Sequence, residues 1–146
     1  MAKINYWNIE QQIGSIIKTQ VARATVLIEE EINWAEGDVV AIYLEEAQAP
    51  AEQQGLSAGT RLRQLITFKI WCWHFGFGKD KALAMQARDN LVGDVQVALL
   101  GNHGLNSTVN SSWIIGCEFI AGPSPTDRGF AAGASIDLIA EAVATT

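Results

Sequence analysis

A chain of 146 residues, 49% hydrophobic and only 18% charged, can bury one sizeable core without disulfides or metal, and it is not a disordered polyelectrolyte. Its formal charge of −6 argues against a general nucleic-acid binder, which needs a basic stripe to displace counterions from phosphates. Two cysteines do not make a disulfide framework.

From Trp7 to Val21 the residues Ile9, Ile13, Ile16, Ile17 and Val21 recur at steps of three and four, the stripe of an amphipathic helix. Gly14 interrupts it at a cost of about 1 kcal/mol relative to alanine. Ala24–Glu31 is rich in β-branched residues and predicts a short strand. Asp38–Glu46 alternates with apolar residues on both faces, as a strand covered on both sides does. Ala47–Thr60 is polar, carries Pro50, Gly55 and Gly59, and is expected to be a long mobile loop.

Arg61–Phe75 predicts the longest strand. Ile66, Phe68, Ile70 and Cys72 fall on one face, with Arg63, Thr67, Lys69, Trp71, Trp73 and Phe75 on the other. Asp80–Leu99 predicts a second helix with Leu83, Ala87, Leu91, Val95, Ala98 and Leu99 as its apolar stripe and Gly101 just beyond its end. Two closing strands lie in Asn110–Gly122 and Arg128–Val143, separated by the turn-rich GPSPTDRG. In the first of them Trp113, Ile115, Cys117 and Phe119 share a face. The order α-β-β-β-α-β-β predicts a single α+β domain over residues 1–146: two helices on a mainly antiparallel sheet of about five strands.

The densest chemistry is KIWCWHFGFGKD, Lys69–Asp80. Cys72 and His74 are two apart on a strand, so their Cβ atoms stand roughly 6.5–7 Å apart, too far for a nucleophile–base hydrogen bond. Cys72 is expected to behave as a small core hydrophobe. One residue separates Gly76 from Gly78-Lys79, where a phosphate-cradling loop needs four and then Ser or Thr, and Asp80 would repel phosphate. His74 and His103 are far apart and no CxxC or HExxH occurs, so no metal set is expected. Glu29, Glu30 and Glu31 lack the alternation and central glycine of a calcium loop. The expectation is therefore no catalytic residue, no cofactor and no metal. Met1–Gln12 lacks the regions of a secretory leader, and no run of about 18 apolar residues exists to span a bilayer, which predicts a cytosolic, reduced chain.

Several segments together carry a resemblance. They are VVAIYLEEA; the basic entry into a long strand, RLRQLITFKIWCW; the helix KDKALAMQARDNLVGDVQVALL; NHGLNSTVNSSWIIGCEF; and the closing GFAAGASIDLIAEA. In this layout the chain resembles the tail terminator and tail-completion proteins of long-tailed bacteriophages. The resemblance implies a structural virion protein without enzymatic chemistry, a ring commonly of six copies at the head-proximal end of the tail. Its partners would be its own copies, the tail tube protein and the neck or connector protein, with DNA passing through the lumen unbound. The alternatives are a neck or head-completion protein, and a small cytosolic enzyme or ligand-binding domain with a pocket beside Trp71, Trp73 and His74. For a ring, Glu29, Glu30 and Glu31 are candidate contacts for Arg61 and Arg63 of a neighbour, or simply solvated charges. Trp71 and Trp73 are either a second core layer or an interface anchor.

Overall fold

The computed structural model describes residues 3–32, 37–49, 61–77, 80–120, 122, 124–126 and 129–145. Helix α1, Tyr6–Gln20, starts where Asn5 accepts a hydrogen bond from the Asn8 N–H at 3.0 Å, and it buries Ile9, Ile13, Ile16 and Ile17. Gly14 has a packing reason: a Cβ there would stand 2.8 Å from Ile28 Cδ1, so the helix lies close against the first strand.

Strand β1, Thr25–Ile28, pairs in parallel with β2, Gly37–Gln48. The latter runs antiparallel to β3, Arg61–Phe77, with a bulge between Leu44 and Glu46. Helix α2, Lys81–Leu100, follows, its first turn capped by Asp80 accepting from the Leu83 N–H at 2.9 Å. Strand β4, Ser111–Phe119, β5, Ser124–Thr126, and β6, Gly129–Thr145, complete the order. The sheet reads β1-β2-β3-β6-β4, with β5 also on β6, and all pairs except β1–β2 are antiparallel. The α+β class with two helices holds, with six strands in a mixed, mostly antiparallel sheet. The sixth strand is β5, in the GPSPTDRG segment expected to be a loop; three residues are too few for alternation to register.

Strands β3 and β6 are each 17 residues long and pair along their whole length, from Arg61↔Thr145 to Phe77↔Gly129. On one face of this spine Ile66, Phe68, Ile70, Cys72, Ala134, Ile136 and Leu138 join Val40 and Ile42 under both helices, all 0–1% exposed. At roughly 25 cal/mol per Å² of apolar area this layer is the chief stabilising contribution. On the opposite face a smaller cluster joins Val39, Phe75 and Ala131 with Leu27, Ile32, Trp73 and Phe77.

Two register expectations are corrected. Helix α2 buries Ala84, Arg88, Leu91, Val92, Val95, Ala98 and Leu99, while Leu83 is half exposed. The stripe turns because Arg88 lies inward. Its Nη1–H donates to the Ile120 carbonyl at 3.0 Å and the Gly133 carbonyl at 3.3 Å, and its guanidinium stands 5.0 Å from the Phe119 ring centre. In β4 a bulge between Ile114 and Gly116 breaks the period of two, leaving Trp113, Ile115 and Phe119 exposed by 40%, 55% and 48% while Ile114 and Cys117 pack on the core.

Candidate functional site

The residues with the most chemistry meet where α1 ends, β2 begins, β3 finishes and α2 passes over them. Asp38 follows the first residue of β2 and pairs across the sheet with His74. Both side chains point toward the helices. His74 Nδ1–H donates to Asp38 Oδ1 at 2.6 Å, the carboxylate setting which nitrogen holds the proton. Arg23, between α1 and β1, donates from Nε to Asp38 Oδ2 at 2.7 Å and from Nη2 to Asp94 Oδ2 of α2 at 2.6 Å. The two carboxylates raise the Arg23 pKa, Asp94 first.

The result is a chain of charge-assisted hydrogen bonds, His74–Asp38–Arg23–Asp94, in which Asp38, Arg23 and Asp94 line a small cleft with Ala87 and Asn90 while His74 lies buried beneath. The network pairs an imidazole with an orienting carboxylate. Cys72, two residues away, is fully buried, and burial, then the nearby Cys117 and Asp38, pushes its pKa up to about 12. At neutral pH it is a thiol packed as a hydrophobe. Burial also raises the Cys117 pKa, and both cysteines are free. Among the described residues, no three His, Cys, Asp or Glu side chains converge as metal ligands. The network ties β2, β3 and α2 to the turn that carries Arg23. Sequence reasoning missed it because its members lie 15, 36 and 71 residues apart.

A second cleft of about 600 Å³ runs between the antiparallel helices, lined by Ser15, Thr19 and Gln20 of α1 and by Asn102 and Asn106 past the end of α2. Its lining is almost wholly uncharged. Asn106 spans it, donating from Nδ2 to Gln12 Oε1 at 2.8 Å, so the groove is laced shut at one end.

The residues singled out as interface candidates fall in two places. Trp71 and Trp73 lie on the sheet face away from the helices, in line with Phe75, with ring centres 6.3 and 6.0 Å apart and planes inclined by 24° and 10°. Each ring sits over a small partner on β6: Trp71 opposite Ser135, Trp73 opposite Gly133, Phe75 opposite Ala131. A Cβ built on Gly133 would touch three carbons spread around the Trp73 six-membered ring at 2.7 Å each, so that ring lies flat on the glycine. The three side chains thus pave the open face as a row of tiles, each half-buried or better. His74 points to the opposite face, so it and the two tryptophans do not share a pocket.

Beyond the tiles the same face carries ion pairs. Lys69 Nζ lies 3.6 Å from Asp137 and 3.8 Å from Glu45, and Arg63 Nη2–H donates to Glu141 Oε2 at 2.7 Å. Arg63 therefore has a partner within its own chain, diagonal to it across β3 and β6. The Arg61 side chain and residues 50–60 of the expected loop lie outside the described residues; Ala47 and Gln48 belong to β2. Glu29, Glu30 and Glu31 are exposed just past β1, where the Tyr43 hydroxyl donates to the Glu30 carbonyl at 2.5 Å.

No helix among the described residues is long and apolar enough to cross a membrane. No protein-family model matches the chain, and no curated protein matches it.

Proposed function

We propose that this chain is a structural subunit of a bacteriophage virion, a tail terminator that assembles as a ring of six on the head-proximal end of the tail tube. The observation that carries the reading is the β4 edge. Strand β4 is the last strand on its side of the sheet among the described residues, and its nine residues expose Trp113, Ile115 and Phe119. A sheet edge offers a row of backbone donors and acceptors, and soluble monomers blunt such edges with charge. Here Glu118 is the one charged side chain on the strand. A neighbouring subunit would cover both the apolar groups and the edge.

The remaining features are in keeping with this role. The His74 network ties β2, β3 and α2 together, which suits a subunit that works as a rigid plate. Six copies at −6 carry 6 × −6 = −36, a sign that lets DNA slide past at close range, with salt screening it beyond about 8–10 Å. The tube protein and the neck or connector protein would be the partners on the two faces of the ring.

Mass measurement in solution and negative-stain imaging test the proposal. Six copies of 15.8 kDa amount to about 95 kDa, and a ring of that mass, located at the tube–neck junction of particles, is the expected result. A twelvefold ring would move the protein to the neck. A chain that stays monomeric when mixed with tail tubes, while tails lacking it still stop at normal length, would overturn the reading.

A further inference from the structure

Glu10 is the most unusual acidic residue in the fold. It lies on the inner side of α1 between Ile9 and Ile13, is 2% exposed, and its Oε1 is buried with no hydrogen-bond partner. A carboxylate left in that state would cost several kcal/mol. The groups facing it are the Glu29 carboxyl, which raises its pKa, and the Leu44 N–H, which lowers it. Glu29 is held from two sides by β2: its N–H donates to the Ile42 carbonyl at 3.0 Å, and its Oε1 accepts from the Leu44 N–H at 2.7 Å. To make both contacts the residue takes φ +56°, a left-handed conformation that costs a non-glycine residue about 1 kcal/mol or more.

Glu10 is buried and Glu29 is exposed beside it, so a proton on the buried Glu10 is what keeps two carboxylates from facing one another across this contact. We propose that the acidic turn Glu29–Glu31 is a proton-held latch: a proton shared by Glu10 and Glu29 docks the turn on α1 and β2, and loss of that proton to solvent undocks it. The groups facing the pair increase the repulsion once the proton leaves. Glu31 adds negative charge beside Glu29, and the Tyr43 phenol of β2 is raised by burial and then by Glu29 and Glu31. Among the described residues neither Glu10 nor Glu29 forms an ion pair with a lysine or arginine. Burial first, then Glu29, pushes the Glu10 pKa from 4.5 up to about 8, so docking weakens with rising pH between those values. Ionised, the pair would repel at contact distance, and the strained backbone at Glu29 would lose the bonds that hold it. The exposed carboxylates of Glu30 and Glu31 would then move with the turn.

The Leu44 N–H reports the latch directly, because it donates to Glu29 Oε1. Its hydrogen-exchange protection, corrected for intrinsic pH dependence, should fall by up to about tenfold per pH unit from pH 6 to 7 and level off by pH 9, above the pKa of the docked Glu10. The Ile70 amide in the central strand, which exchanges only when the whole fold opens, should stay better protected than Leu44 throughout. In Glu10→Gln, whose neutral amide can donate to Glu29 at any pH, Leu44 protection should not change between pH 6 and 9. Glu29→Gln, which leaves a single carboxyl, should flatten the profile equally and serves if the first variant does not fold. A level wild-type profile, or an unchanged fall in a folded Glu10→Gln or Glu29→Gln protein, would overturn the latch. The measurement does not depend on whether subunits assemble.

Discussion

Replacing Gly133 by alanine tests the tile arrangement of the open sheet face. In an ordinary strand the change is favourable by about 0.5–1 kcal/mol, since glycine loses more backbone freedom on folding. Here the new Cβ meets three carbons of the Trp73 ring at 2.7 Å, against about 3.5–4.0 Å for a relaxed carbon contact. The ring must lift by roughly 1 Å, and it cannot slide, because Trp71 and Phe75 flank it with centres at 6.3 and 6.0 Å. Overpacking of this kind costs about 1–3 kcal/mol, so Gly133→Ala should be net destabilising by about 1–2 kcal/mol. When Trp73 is first replaced by alanine, the obstruction is gone and the favourable backbone contribution remains. Gly133→Ala should then stabilise by about 0.5–1 kcal/mol, which makes the coupling in the double-mutant cycle about 2 kcal/mol. Urea unfolding of the four proteins, with m-values checked for constancy, measures it. Equal effects of Gly133→Ala in both backgrounds would refute the arrangement.

Phe68→Ala and Trp113→Ala should part company although both remove a large aromatic. Phe68 is fully buried and should cost about 3–5 kcal/mol, whereas Trp113, 40% exposed beside a bulge, should cost under about 1.5 kcal/mol in the isolated subunit. Thermal unfolding resolves the difference, at about 2–4 °C per kcal/mol for a chain of this size. Stability should fall with rising pH. The Glu10 pKa is raised from an ordinary 4.5 to about 8, so between those values the folded chain holds a proton that the unfolded chain has released. The slope is then negative, at most about 1.4 kcal/mol per pH unit, and it levels off above the upper value. Glu10→Gln should flatten it, and denaturant titrations at pH 5, 6 and 7 read the difference. Cys72 should resist a thiol reagent at pH 7.5 until the protein unfolds, because its thiol is buried and its pKa is pushed to about 12. Labelling of Cys72 at the rate of an unfolded peptide would show that the core opens there.

The long β3 strand, the α+β class and the burial of Ile66, Phe68, Ile70 and Cys72 were legible in the sequence, because a period of two with apolar side chains is a local property. The rejection of a Cys72–His74 pair was legible for the same reason: spacing along a strand sets distance. Lost to local reasoning were the features that depend on which strands meet. The β4 bulge turned Trp113 outward, Arg88 displaced Leu83 from the inner stripe, and Gly133 was a glycine with no visible purpose until Trp73 was laid on it. Arg63, read as either a contact for a neighbour's carboxylate or a solvated charge, pairs with Glu141, 78 residues on. Composition and periodicity determined which side chains seek the interior. Tertiary pairing decided which polar groups they took with them: His74 onto Asp38, and Glu10 against Glu29. The physical reason is that hydrophobic burial depends on each residue's own surface, whereas hydrogen bonds and ion pairs depend on the position of a second residue, which only the folded chain supplies.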